Sequence, residues 1–239
     1  MNTDMNGYAN KLEVVPGRTR FIVAALLGSA VSLLLLTESA AQPTPPDFTG
    51  VWQRQDAPAE GADTPPPLTP EGQRLYERNL EAIANKDPEL VPQLRCLPAG
   101  FPRFAEGESP FYFLQTPEVI GLVGGSGGRP QIIHMEDEHQ DLWPRYMGDS
   151  IGHWEGDTLI VEVTEITTKN YLNDGGLPLS EELRVVERFR LLDHDTLQNE
   201  VTFEDPKILT KPWVVTFIYE RHDELKPVER VCENLRLRP

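Results

Sequence analysis

The chain has 239 residues, with 22 basic and 38 acidic side chains and a formal net charge of −16. A surface this acidic repels nucleic acid and anionic lipid head groups, so neither is expected as a partner.

Arg18 and Arg20 precede a 16-residue apolar run, residues 21–36, after which Ser39 and Ala41 stand at the −3 and −1 positions of a cleavage site. This is the layout of a secretory signal, residues 1–41, cut after Ala41. The run is short for a membrane span. The expected location is periplasmic or secreted, without stable membrane insertion after cleavage. The signal contains three basic and three acidic residues, so the remaining 198 residues keep the charge of −16. They suffice for one domain with a sizeable core.

Residues 42–68 read as a linker, a first strand and a Pro-rich loop, and residues 69–239 as the rest of one barrel-like domain. Gly50-Val51-Trp52 resembles the Gly-x-Trp signature of the first strand in lipocalin-type barrels. A helix is expected over 69–87. Thr69 suits the N-cap and Pro70 the first turn, Leu75, Leu80 and Ile83 give an apolar side, and Asp87-Pro88 stops it. Cys96 and Cys232 are the only cysteines, and in an oxidising compartment the pair forms one disulfide. Neither is flanked by residues that would complete a metal site, so no metal is expected.

Strands follow from Phe111: FYFLQ, EVIGLV and RPQIIHMED. Gly124-Gly125-Ser126-Gly127-Gly128 has no Gly-Lys-Ser/Thr ending and no helix after it, so it reads as a hairpin tip and not a phosphate loop. His134, Glu136 and Glu138 share one side of a strand but lack the histidine spacing of zinc motifs.

Two hairpins then carry the functional signal. The second, LRVVERFRLL-DHD-TLQNEVTFED, is read with a three-residue turn at Asp193-His194-Asp195. Val185 then faces Phe203, Glu187 faces Val201, Phe189 faces Asn199 and Leu191 faces Leu197. The other face pairs Arg184 with Glu204 and Arg188 with Glu200, as a wet face should. Applied to Glu155-Gly156-Asp157 in the first hairpin, the same turn pairs Asp149 with Val163, Ile151 with Val161 and His153 with Leu159. The apolar face therefore carries four polar exceptions: Asp149, His153, Glu187 and Asn199. Such groups either satisfy one another in an ordinary core or line a cavity that holds a ligand.

Gly148-Asp149-Ser150-Ile151-Gly152 matches the Gly-x-Ser-x-Gly elbow of hydrolases, but a strand and not a helix follows, so Ser150 is not expected to be catalytic. In PWVVTFIYERH, period-2 alternation puts Trp213, Val215, Phe217, Tyr219 and Arg221 on one side. VERVCENLRLR reads as a last strand. Nine or ten strands are expected, antiparallel by their short connections.

GDSIGHWEGDTLIVEV, LRVVERFRLLDHDTL and DPKILTKPW, with the LTPEG helix start and the Cys96-Leu97-Pro98 loop, resemble a family of exported bacterial proteins of uncharacterised function. The resemblance covers most of the mature chain and implies export, but no particular activity. Members carry a His where this chain has Leu179, so any role of that His is altered here.

The expected fold is mainly β: a lipocalin-like antiparallel barrel or strongly curved sheet with one N-terminal helix. Its expected function is to bind a small, largely apolar molecule. Asp149, His153, Glu187 and Asn199 would fix the polar end, and Phe189, Trp213, Tyr219 and Arg221 would complete the lining. No cofactor is implied. The alternatives are a proton-transfer enzyme (isomerase, lyase or cyclase) with His153 as base and Asp149 or Glu187 as partner, and a structural or envelope protein with a solid core.

Overall fold

The computed structural model describes residues 44–55, 65–87, 109–124, 129–139, 143–173 and 175–227, with a few positions between 91 and 107. The expected signal, the strand VERVCENLRLR and Cys232 lie outside the described residues, and the Cys96–Cys232 bridge with them.

Nine strands form a closed barrel in sequence order. They are β1 Gly50–Arg54, β2 Phe111–Gln115, β3 Val119–Gly124, β4 Gln131–Met135, β5 Asp149–Glu155, β6 Thr158–Thr164, β7 Arg184–Leu191, β8 Thr196–Glu204 and β9 Trp213–Arg221. β9 returns to pair with β1, which leaves the ladder without an edge. Alternating side chains point inward: Leu197, Asn199, Val201 and Phe203 of β8 are buried, as are Trp213, Val215, Phe217 and Tyr219 of β9. Phe113 meets Phe48 and Phe189 edge-on at 5.3 and 5.7 Å, the arrangement the ring quadrupoles favour.

The helix α1 Pro70–Ala84 covers the barrel end at which β6 and β8 finish. Thr69 caps it, its Oγ1 accepting from the Gly72 amide at 3.0 Å. Asn79 Nδ2 donates to Gly176 O at 2.9 Å, and the Thr69 amide donates to Ile208 O at 2.8 Å, so the helix is pinned to both loops of that end. Of the expected apolar side, Leu75 packs against the core and Ile83 is half-buried, but Leu80 is not part of it. Leu80 is 42% exposed, whereas Gly72, Asn79 and Ala82 form the buried stripe with Leu75 beside it.

Two further expectations fail. β4 and β5 run parallel, joined by a crossover over residues 136–148, long enough to bring the chain back to the starting end. The β5–β6 turn has two residues, not three, because Glu155 pairs with Thr158. Gly156 supplies the positive φ of 64° that such a turn needs at its first central position. A one-residue slip turns over every side chain of β5. Asp149 therefore pairs with Thr164 and His153 with Ile160, and Ser150, Gly152 and Trp154 face inward. Gly152 is forced to be glycine there, since an added Cβ would sit 2.7 Å from Ile133 Cγ2 and 2.8 Å from Met135 Sδ.

This register predicts opposite outcomes for neighbouring residues. In urea titrations Gly152→Ala should cost about 1–3 kcal/mol through overpacking. His153→Ala should stay within about 0.5 kcal/mol, as at an ordinary surface site. The reverse ranking would restore the three-residue turn.

Candidate functional site

The interior of the barrel gathers four polar side chains. Glu187 enters from the middle of β7 and Asn199 from β8, both 0% exposed, as the register of that hairpin requires. Gln131 opens β4 and Ser150 lies near the start of β5. Asn199 Nδ2 donates to Glu187 Oε1 at 2.9 Å, and Gln131 Nε2 donates to Glu187 Oε2 at 2.8 Å. Gln131 Nε2 also lies 3.4 Å from Ser150 Oγ, a long contact.

Each amide thus spends one end on the carboxyl and leaves the other over. Gln131 Oε1 and Asn199 Oδ1 are buried without a hydrogen-bond partner. Turning either amide exchanges the atom left over without removing the deficit. Burial drives the Glu187 carboxyl up from its ordinary 4.5 to about 7, against the opposing pull of the two amide donors. The site therefore holds a carboxyl about half protonated near pH 7, flanked by two open carbonyl oxygens. It can hold a group that donates hydrogen bonds, and it can take up or release a proton close to neutrality.

The structure places the sequence-derived candidates in two groups. Glu187, Asn199, Phe189, Trp213 and Tyr219 are buried on the inner face, and Arg221 lies over the Trp52 ring at 4.2 Å. Asp149 and His153 are on the outer face, contrary to expectation, because of the two-residue turn. His153 is exposed, with Glu155 3.3 Å from its Nε2. Asp149 has other partners: Arg145 Nη2 donates to its Oδ1 at 2.9 Å and His139 Nδ1 lies 3.0 Å from its Oδ2. His139 Nε2 is also 3.7 Å from Glu162, whose carboxyl is held low by a hydrogen bond from Arg184. The acid/base pair expected between Asp149 and His153 is replaced by one between Asp149 and His139.

Gln131 and Ser150 were missed. Gln131 alternates with Ile132 and His134, so the strand pattern already put it on the face of Ile133. Ser150 was hidden by the misread turn. Among the described residues no group of three or more His, Cys, Asp or Glu side chains is arranged to hold a metal ion.

No protein-family model matches the sequence, and no curated protein matches it. Solved structures that resemble it include two variants of the fluorescent protein UnaG. Each is 14% identical and covers 74% of this chain and 97% of that one, with TM-scores of 0.35 and 0.36. A likeness of that extent carries neither ligand nor activity over to this chain.

The raised Glu187 pKa fixes a sign for stability. A carboxyl favoured in its protonated form stabilises the fold fully below about pH 4.5, and that contribution is lost as pH rises to about 7. Glu187→Gln, which stays neutral, should therefore be more stable than wild type above about pH 7, by on the order of 3 kcal/mol. The two should converge below about pH 4.5. Urea midpoints across that range measure the difference, and parallel curves would show that Glu187 titrates normally.

Proposed function

We propose that this protein is an exported small-molecule-binding barrel. A largely apolar ligand lies in the interior among Phe189, Trp213 and Tyr219, with a hydroxyl or N–H end donating to Gln131 Oε1 and Asn199 Oδ1 beside Glu187. The observation that carries the reading is the pair of buried amide oxygens without donors. Leaving a buried acceptor unmet costs about 1–3 kcal/mol, so a site with two of them favours a ligand that supplies the donors. The aromatic wall supports an apolar body for that ligand. Export through the segment 1–41 and a Cys96–Cys232 bridge belong to the same reading.

The enzyme alternative loses its base. His153 is separated from Glu187 by the sheet and does not touch Asp149, so proton transfer through that trio has no geometric support.

Native mass spectrometry of the protein purified from its own host tests the proposal. Added mass should be retained by wild type and by His153→Ala, and lost from Asn199→Leu that still gives a folded near-UV spectrum. A bare wild-type chain whose melting temperature is also unmoved by a host metabolite extract would sink the ligand reading.

A further inference from the structure

The crossover between β4 and β5 builds a second site, on the outside of the barrel. Its last residues are rigidly placed: the Arg145 amide donates to Glu165 O at 2.8 Å, and Arg145 O accepts from Thr167 at 2.9 Å. Tyr146 O accepts from the Phe101 amide at 2.7 Å. Between this tethered segment and the outer face of β4 lies a cleft of ≈ 470 Å³. That is within the range of roughly 300–1,000 Å³ typical of small-molecule sites.

The lining has a charge sense opposite to that of the whole molecule. Arg129, His134 and Arg145 border the cleft, and Asp149 is the lone carboxylate among its described lining residues. Both oxygens of that carboxylate are engaged, one by Arg145 and the other by His139. Arg145 uses one Nη2 bond on Asp149, and a guanidinium has five donors in a planar fork. Among the described residues Arg129 makes no ion pair. In a chain of net charge −16, two arginines sharing one small cleft with a single, already occupied carboxylate are, among the described residues, short of anionic partners. Ile132, Pro144 and Met147 supply an apolar floor next to these cations, and the Ile132 side chain is 41% exposed there.

We infer that this cleft is a binding site for a small organic carboxylate. The anionic head is held by Arg129 and Arg145, and the apolar body lies on Ile132, Pro144 and Met147. A guanidinium pair matches the two oxygens of a carboxylate, and the adjoining apolar surface distinguishes an organic acid from an inorganic anion. The cations of the cleft are distinct from the interior cluster: Glu187, Asn199 and Gln131 do not line the cleft, and Ser150, at its border, is the residue common to both.

Trp143, 89% exposed and one residue before the cleft-lining Pro144, provides a fluorescence reporter. The intact protein is titrated with phenylbutyrate, with its neutral amide and with sodium sulfate, by calorimetry and by tryptophan emission. Phenylbutyrate should bind saturably at least about tenfold tighter than the amide, the worth of one charge-assisted hydrogen bond. It should also bind tighter than sulfate. Arg129→Gln should lose about tenfold in phenylbutyrate affinity at an unchanged melting temperature. Glu187→Gln should leave that affinity unchanged, which separates this site from the interior one. Equal binding of acid and amide would overturn the proposal. So would sulfate binding as tightly as phenylbutyrate, or no saturable signal at millimolar phenylbutyrate from folded protein.

Discussion

Closure of the sheet between its last strand and its first is the constraint on which the rest depends. Trp52 pairs with Arg221 and Arg54 with Tyr219, and with that seam made, each strand residue belongs either to the lumen or to the outside. The seam is held by more than its ladder. Arg221 lies over the Trp52 ring and donates to Thr49 O at 2.7 Å and to His194 O at 3.0 Å. Trp52 Nε1 donates in turn to Phe48 O at 2.8 Å, in a buried position. One guanidinium thus joins the first strand, the segment before it and the β7–β8 turn, and it does so beside an aromatic face where its charge is partly offset.

How legible this was depended on turn chemistry. The β7–β8 hairpin follows from its residues, because only the three-residue turn sets Arg184 and Arg188 against glutamates and Phe189 and Leu191 against the core. That register delivered Glu187 and Asn199 to the interior. The β5–β6 hairpin has a turn of similar composition, and there the glycine comes first, which selects the shorter loop. Trp154 was the overlooked signal: a three-residue turn strands it outside with Gly152, whereas the observed one buries Gly152 and packs the Trp154 ring against Phe48, centroids 5.2 Å apart and tilted by 58°. The helix cap was readable at Thr69. The buried stripe through Gly72 and Asn79 was not, because it is set by contacts with Ile208 and Gly176 that no periodicity encodes. The parallel β4–β5 pair was hidden for the same reason, since its crossover is defined by where it docks.

The two faces of the sheet sort charge by its cost of desolvation. Ion pairs such as Arg184 with Glu204 and Arg145 with Asp149 lie outside, where water shares the burden. Inside, the one carboxylate of the cluster is met by amides instead of a cation, and burial moves it toward neutrality. A cation there would have needed its own desolvation repaid by near-ideal geometry. Amides accomplish the polar contact without a net charge.

The parallel crossover also governs the order in which the barrel can assemble. β2 through β4 are joined by short links, and so are β5 and β6 and the run from β7 to β9, so these pairs can zip while the rest of the chain is still loose. Four seams cannot form in that way, among them β1–β2 and β6–β7, whose strands are separated by residues 55–110 and 165–183. The β4–β5 pair must wait for residues 136–148 to fold back along the barrel, and the β1–β9 pair brings together segments separated by most of the domain. Each seam must meet its loop-closure entropy before it returns any contact, so the barrel is kinetically a set of local meanders whose late step is joining.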